Sequence, residues 1–298
     1  MKSSAISRSL CLFVFLAALP AVLRAADAET PGTNLAVRTV NGYLIVVHVS
    51  INGQGPFDFL VDTGTNTTLV DPGLAADLKL KPVDRTALAT LADATPVVRY
   101  YADTLQAGRA SVAHMEVLGA PLGEIRTLDS RIRGVMGMNF LLQFSFLLDY
   151  RHQRMAIFPF PDSAPVPSGR RVNVQINDSR ILIPVASQSS PQGSWNLVLD
   201  SGIGSVLLFQ SRVRSIAGYC VAAPCMMQVA TNGSNYAAPT VVVPEMMIAE
   251  RSLINQSAIV LRNDLLKPND PQDGLLPASL FRFVFFDRSN ATLVVEPR

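Results

Sequence analysis

Charged side chains are scarce in this sequence. Asp, Glu, Lys and Arg make up 16% of its 298 residues and 49% are hydrophobic, a balance that excludes a chain too polar to bury a core. The net charge is only +2, and no basic patch interleaved with aromatics occurs, so nucleic acid is not expected as a partner. Histidine appears three times, as His48, His114 and His152. These lie scattered on or beside strand-like runs without ligand spacing, so no metal site is expected. No Gly-x-Ser-x-Gly elbow is present and no cysteine is placed for catalysis, which removes the common covalent hydrolases. Long amphipathic helices are also few; "PGLAADLKL" (72–80) and "FQSRVRSIAG" (209–218) each suit one short helix.

What the chain does contain is a succession of short apolar, β-branched runs such as "YLIVVHV", "FSFLLDY", "RILIPV" and "FRFVFFD". Most are bounded by Gly, Pro, Asn or Asp, the pattern of an all-β protein. The first residues read as an export signal over 1–28. Lys2 and Arg8 form a positive start, residues 10–23 an apolar middle, and Ala26-Asp27-Ala28 a small-x-small cleavage site. That apolar middle is short against the ~20 residues a membrane span needs. Without the signal the basic count of 25 loses Lys2, Arg8 and Arg24, and the acidic count of 23 loses Asp27, leaving 22 of each. Export points to a periplasmic or secreted protein, in which Cys220 and Cys225 form a small-loop disulfide.

The chain also resembles itself. Shifted by 138 residues, "IVVHVSINGQGPFDFLVDTG" (45–64) lies over "IPVASQSSPQGSWNLVLDSG" (183–202) with six of twenty positions identical, Asp62/Asp200 and Gly64/Gly202 among them. The same shift lays 147–159 over 285–297, and a shift of 140 lays "RGVMGMNFL" (133–141) over "DGLLPASLF" (273–281). So long a period marks a duplicated lobe rather than a solenoid. The expected organisation is a first lobe over 29–160, a proline-rich linker at 161–170 and a second lobe over 171–298. The turn "GQG" lies between two strands, so no dinucleotide, and no other cofactor, is expected.

Twin lobes packed about a pseudo-two-fold axis would bring equivalent residues face to face. With Asp62 and Asp200 near that axis, two carboxyl groups share one proton and their pKa values split. The charged member can take a proton from a water between them while the protonated member donates to a carbonyl oxygen, which hydrolyses an amide without metal. Gly64 and Gly202 permit the tight turns. Thr63 and Ser201 supply short hydroxyls that can bond backbone across the joint.

On these motifs the sequence resembles the aspartic proteases of the pepsin and retropepsin group. "FLVDTGTNTTLV" and "LVLDSGIGSVLLF" are similar to the two catalytic loops, and "GVMGMNFL" and "GLLPASLF" to the segments that brace them. The nearest likeness is an exported bacterial member with short lobes fused in one chain. The resemblance implies an all-β, bilobal fold of two homologous barrel-like lobes with a few short helices, acting as a monomer. A peptide or protein substrate would lie in the cleft between them. Asp62 and Asp200 would be catalytic, supported by Thr63, Gly64, Thr65, Ser201 and Gly202. A flap would have its tip at Asp93, Ala94, Thr95 and Pro96, and the hairpin at 228–237 is either a second flap or an equivalent loop. Tyr100 or Tyr101 is either the flap tyrosine or an ordinary strand aromatic. Two departures stand out. Ile203 replaces the hydroxyl residue that follows Asp-Thr-Gly, which makes Asp200 the expected proton holder, and Pro277 replaces the bracing glycine. They leave open a catalytically inactive peptide-binding protein on the same scaffold.

Overall fold

The computed structural model describes residues 32–89, 94–160, 164–187, 193–213, 226–231, 234–261 and 271–298. Residues 1–28, expected to be an export signal, and Asp93, Cys220 and Cys225 lie outside them. The protein is all-β, with a few helices of four to six residues.

Two eight-stranded sheets repeat one another strand for strand. In the first, Leu44–Ile51 hairpins onto Gln54–Val61 through Asn52 and Gly53, whose φ values of 51° and 73° give the positive-φ pair a tight strand-twisted turn requires. Gln54–Val61 then runs parallel to Ile132–Met136, which sits between it and Thr68–Val70. Beyond these come Ala110–Gly119, Ala94–Ala107 and Pro82–Ala89. A pairing of Ser50 with Gln106 closes the sheet on itself. In the second sheet the same places are taken by Arg180–Ala186, Ser194–Asp200, Gly274–Pro277, Val206–Phe209, Arg251–Leu261, Ser234–Ile248 and Met226–Thr231, with Ala186 on Met247 as the closing pair. The central parallel strands are buried on both faces, which is why "FLV" and "LVL" read as unbroken apolar runs.

The helices fall near the expected places. Pro72–Asp77 starts at Asp71, whose side chain accepts from the Leu74 N–H at 3.2 Å, with Pro72 in the first turn. Gln210–Val213 begins within the second expected helix, whose remainder is outside the described residues.

A third sheet of six strands joins the two halves. Its centre is the antiparallel pairing of Ser145–Asp149 with Phe281–Asp287, in which Leu147 faces Phe285. These two residues are repeat mates, since 285 − 147 gives the 138-residue shift, so the pseudo-two-fold axis passes through this pair. Phe146 and Phe286 flank it with ring centroids 5.4 Å apart, both buried in a core cluster that runs through both halves.

Candidate active site

The strand Gln54–Val61 delivers Asp62 and the strand Ser194–Asp200 ends on Asp200, each at the mouth of its buried parallel pair. Asp62 is half-buried. Its Oδ1 accepts from the Gly64 N–H at 2.8 Å and its Oδ2 from the Thr65 hydroxyl at 2.7 Å. Asp200 is 6% exposed and its Oδ1 accepts from the Gly202 N–H at 2.7 Å. Ile203, in the place of Thr65, brings no hydroxyl.

The joint between the halves is closed by a reciprocal set of bonds. The Thr63 N–H donates to Ser201 Oγ at 3.0 Å and the Ser201 N–H to Thr63 Oγ1 at 3.0 Å. Each hydroxyl then donates to the strand of the other half, Thr63 to the Leu199 carbonyl and Ser201 to the Val61 carbonyl, both at 2.8 Å. Both residues are fully buried, so these bonds act where no water competes. The glycines sit under the opposite carboxyls. A Cβ on Gly64 would lie 2.3 Å from Asp200 Oδ2, and one on Gly202 2.9 Å from Asp62 Cγ. Only a residue without a side chain lets the carboxyls approach, and the two are close enough to share a hydrogen bond. Burial first, and the neighbouring Asp62 charge second, push the Asp200 carboxyl well above the usual carboxylate range, against the Gly202 N–H and the Arg180 charge. Of the pair, Asp200 is the member whose surroundings favour the protonated form.

Behind Asp62 the first loop is tied down. The Met138 N–H donates to the Thr65 carbonyl at 2.8 Å and the Asn139 N–H to the Asn66 carbonyl at 2.9 Å. Thr68 Oγ1 donates to Asn139 Oδ1 at 2.8 Å and accepts from the Gly137 N–H at 3.2 Å, while Asn139 Nδ2 reaches the Glu116 carbonyl. A Cβ at Gly137 would stand 2.6 Å from the Thr67 carbonyl carbon. The second half omits this tie. Val206 replaces Thr68 and Pro277 replaces Gly137, so acceptor and donor vanish together. Among the described residues neither Ala278 nor Ser279 bonds the second loop; Pro277 is paired beside Asp200 in the parallel ladder and Ala278 is fully buried. Thr68 and Asn139 went unnoticed in the sequence, although the two shifts that exposed Pro277 also set Thr68 against Val206.

These are the elements of one recognisable site. Residues 47–140 match the aspartyl protease family. The matched stretch contains Asp62, its turn and the Gly137–Asn139 brace. No curated protein matches the chain.

An apolar pocket of about 120 Å³ opens beside Asp62 within this stretch, lined by Leu69, Leu88, Leu122, Ile125 and Val135 with Glu124 and Thr65. Leu88 belongs to the hairpin of Pro82–Ala89 with Ala94–Ala107, which therefore reaches the dyad's side of the molecule. Ala94, Thr95 and Pro96 pair with Ala89, Leu88 and Ala87, so they form the outgoing strand rather than the tip. Tyr100 pairs with Pro82 at the hairpin's base and packs on Gly119, and Tyr101 stacks on His114 at 4.8 Å; both serve the strands. The second half has the matching hairpin of Met226–Thr231 with Ser234–Ile248.

Proposed function

We propose that the protein is an exported, monomeric aspartic endopeptidase in which Asp62 and Asp200 activate water against a peptide bond. The observation that carries this is the juxtaposition of the two carboxyls, one half-buried and doubly hydrogen-bonded, the other buried with its pKa raised. Water adds to the peptide carbonyl carbon and gives a proton to Asp62, while the Asp200 proton passes to the carbonyl oxygen. In the second step Asp62 returns its proton to the amide nitrogen, the tetrahedral diol returns one to Asp200, and the C–N bond breaks. The pair regains its single proton, so the cycle is balanced. The two lobes, 29–160 and 171–298, would hold the substrate between them beneath the Pro82–Ala107 hairpin. Export through residues 1–28 would place Cys220 and Cys225 in a compartment that oxidises them.

The unbraced second loop favours one competing reading, an inactive scaffold that binds a peptide in the same cleft. Digestion of a denatured protein across acidic and neutral pH separates the two. Wild type is expected to cleave, with inhibition by pepstatin-type compounds, and Asp62→Asn and Asp200→Asn to lose roughly 10²–10⁴-fold in rate. Peptide binding that Asp62→Asn leaves unchanged, with no cleavage by wild type, would establish the binding reading instead.

A further inference from the structure

Beside the dyad each half sends a short hairpin over the other half's loop, and the two hairpin ends differ in chemistry. In the first half the turn at Asn41 and Gly42 leads into Tyr43, whose ring packs against Gly204 of the second loop. Burial and the Asp200 charge raise the Tyr43 pKa, so it remains a neutral phenol. In the second half the turn at Asp178 and Ser179, with φ of 45° and 58°, leads into Arg180. The Asp178 carbonyl and Oδ2 accept from Asn66 Nδ2 at 3.2 and 3.1 Å, which fixes this turn on the first loop, one residue beyond the Thr65 hydroxyl that bonds Asp62.

Arg180 is half-buried. Other arginines of similar burial are occupied: Arg38 lies on Asp58 and Asp129, Arg99 on Asp84 and Glu116, Arg133 on Asp71 and Asp77, and Arg288 on the Gln143 carbonyl. The Arg180 side chain has no hydrogen bond or ion pair among the described residues. Its charge is felt at Asp200, and its turn is clasped to the loop that carries Asp62, so it lies on the dyad's side of the molecule. A half-buried arginine held on a fixed turn, with no carboxylate hydrogen-bonded to it, is suited to take one from outside in the bidentate geometry that arginine favours.

We infer that Arg180 is a specificity-determining residue that reads an acidic side chain of the substrate close to the scissile bond. This rests on the endopeptidase reading and adds to it a substrate class: peptides with Asp or Glu at one fixed position on the Arg180 side of the cleft, and no such demand on the Tyr43 side. An opposing explanation is that Arg180 only balances the charge of the dyad.

The test is cleavage of a peptide mixture made by digesting denatured cell protein, with the residues around every cut bond read by mass spectrometry and Asp62→Asn as the blank. Wild type is expected to show acidic residues enriched roughly tenfold at one position, about 1.4 kcal/mol. Arg180→Met should bring that position to within about twofold of background, Arg180→Glu should turn it toward Lys and Arg, and Arg180→Lys should keep the acidic preference. Circular dichroism melts identify any variant that has not folded, and Arg180→Lys and Arg180→Met then carry the test without Arg180→Glu. Asp62-dependent cleavage with no acidic enrichment overturns the inference alone. So does an Arg180→Met enzyme whose rate or pH profile changes while its cut sequences do not, the outcome for a mere charge balancer. A wild type that cuts nothing beyond the blank overturns the endopeptidase reading as well.

Discussion

Asp200 is held in a state that costs stability, and the sign of that cost can be measured. Burial raises its folded pKa above the ordinary value of about 3.9 that it has in the unfolded chain. Proton retention therefore contributes stability that is fully present below the unfolded value and is lost as pH rises through the folded one. Asn at this position keeps the acceptor for the Gly202 N–H and never ionises. Asp200→Asn is expected to melt above wild type at neutral pH, with the difference closing below about pH 4; equal melting temperatures at both pH values would mean that Asp200 is not strained by its surroundings. Ile203→Thr approaches the same group from the other side. A hydroxyl placed as Thr65 is placed on Asp62 would favour the charged form of Asp200, lowering its pKa, so the alkaline limb of the pH–rate profile should move to lower pH. An unchanged limb would show that the new hydroxyl does not reach the carboxylate. At this scale the repeat made most of the site legible, because Asp62/Asp200, Thr63/Ser201 and Gly64/Gly202 stand in register. Arg180 and Tyr43 were not legible. Their importance comes from hairpins that cross to the opposite half, and nothing in the local residues "NDSR" or "NGY" announces a crossing.

Elements hold the two loops by different means. In the first half Thr68 stands between the Gly137 N–H and Asn139, fully buried. Thr68→Val keeps the shape and removes both bonds, leaving the Gly137 donor without a partner. The expected cost is about 1–3 kcal/mol in urea unfolding, with a fall in activity if the Thr65 carbonyl and its hydroxyl shift with it. The reverse change at the repeat mate, Val206→Thr, should also destabilise, because Pro277 has no N–H to offer and the new hydroxyl is buried beside apolar groups. A stabilised Val206→Thr would show that the second loop accepts the first loop's brace, contrary to the bonds seen here. The sequence disclosed Pro277 as a departure but not its compensation. Strand periodicity records which face is apolar, whereas Thr68 lies in "TLV" with all three residues buried and so carries no alternation to single it out. Element edges were less legible for a similar reason. "TLADATPVV" contains both a turn and the start of a strand, and the pairing of Ala94–Pro96 with Ala87–Ala89 is decided by the partner strand rather than by their own propensity.

Across the whole molecule the two halves are joined by a shared ladder, a shared core and a set of cross-half hydrogen bonds. Self-similarity in the sequence implied twin lobes, and it even aligned 147–159 with 285–297. That these segments pair with each other, Leu147 on Phe285, was not readable, since a strand's pattern shows a buried face without naming what covers it. Besides this four-residue ladder the joint includes the Thr63–Ser201 bonds, the Phe146–Phe286 contact, the Tyr43 ring on Gly204, the Arg288 bonds to Ser145 and Gln143, and the Asn66–Asp178 clasp. None of these involves the linker, and the strands on either side of it pair within their own halves, Arg154–Phe158 with Thr33–Leu35 and Arg170–Asn173 with Thr292–Pro297. Cutting the chain between 160 and 164 therefore removes covalent continuity and leaves these strand pairings intact. A protease site inserted between Pro161 and Ala164 and then cleaved should give two fragments that stay together in size-exclusion chromatography and part in denaturant. Cleaved protein should keep most of its melting temperature at high concentration and lose it on dilution, as expected when a folding unit becomes bimolecular. Adding Phe146→Ala, a change that costs about 3–5 kcal/mol in a packed core, should then separate the fragments without denaturant. Fragments that part on cleavage with Phe146 intact would mean that the six-stranded sheet does not hold the halves together and that the linker does.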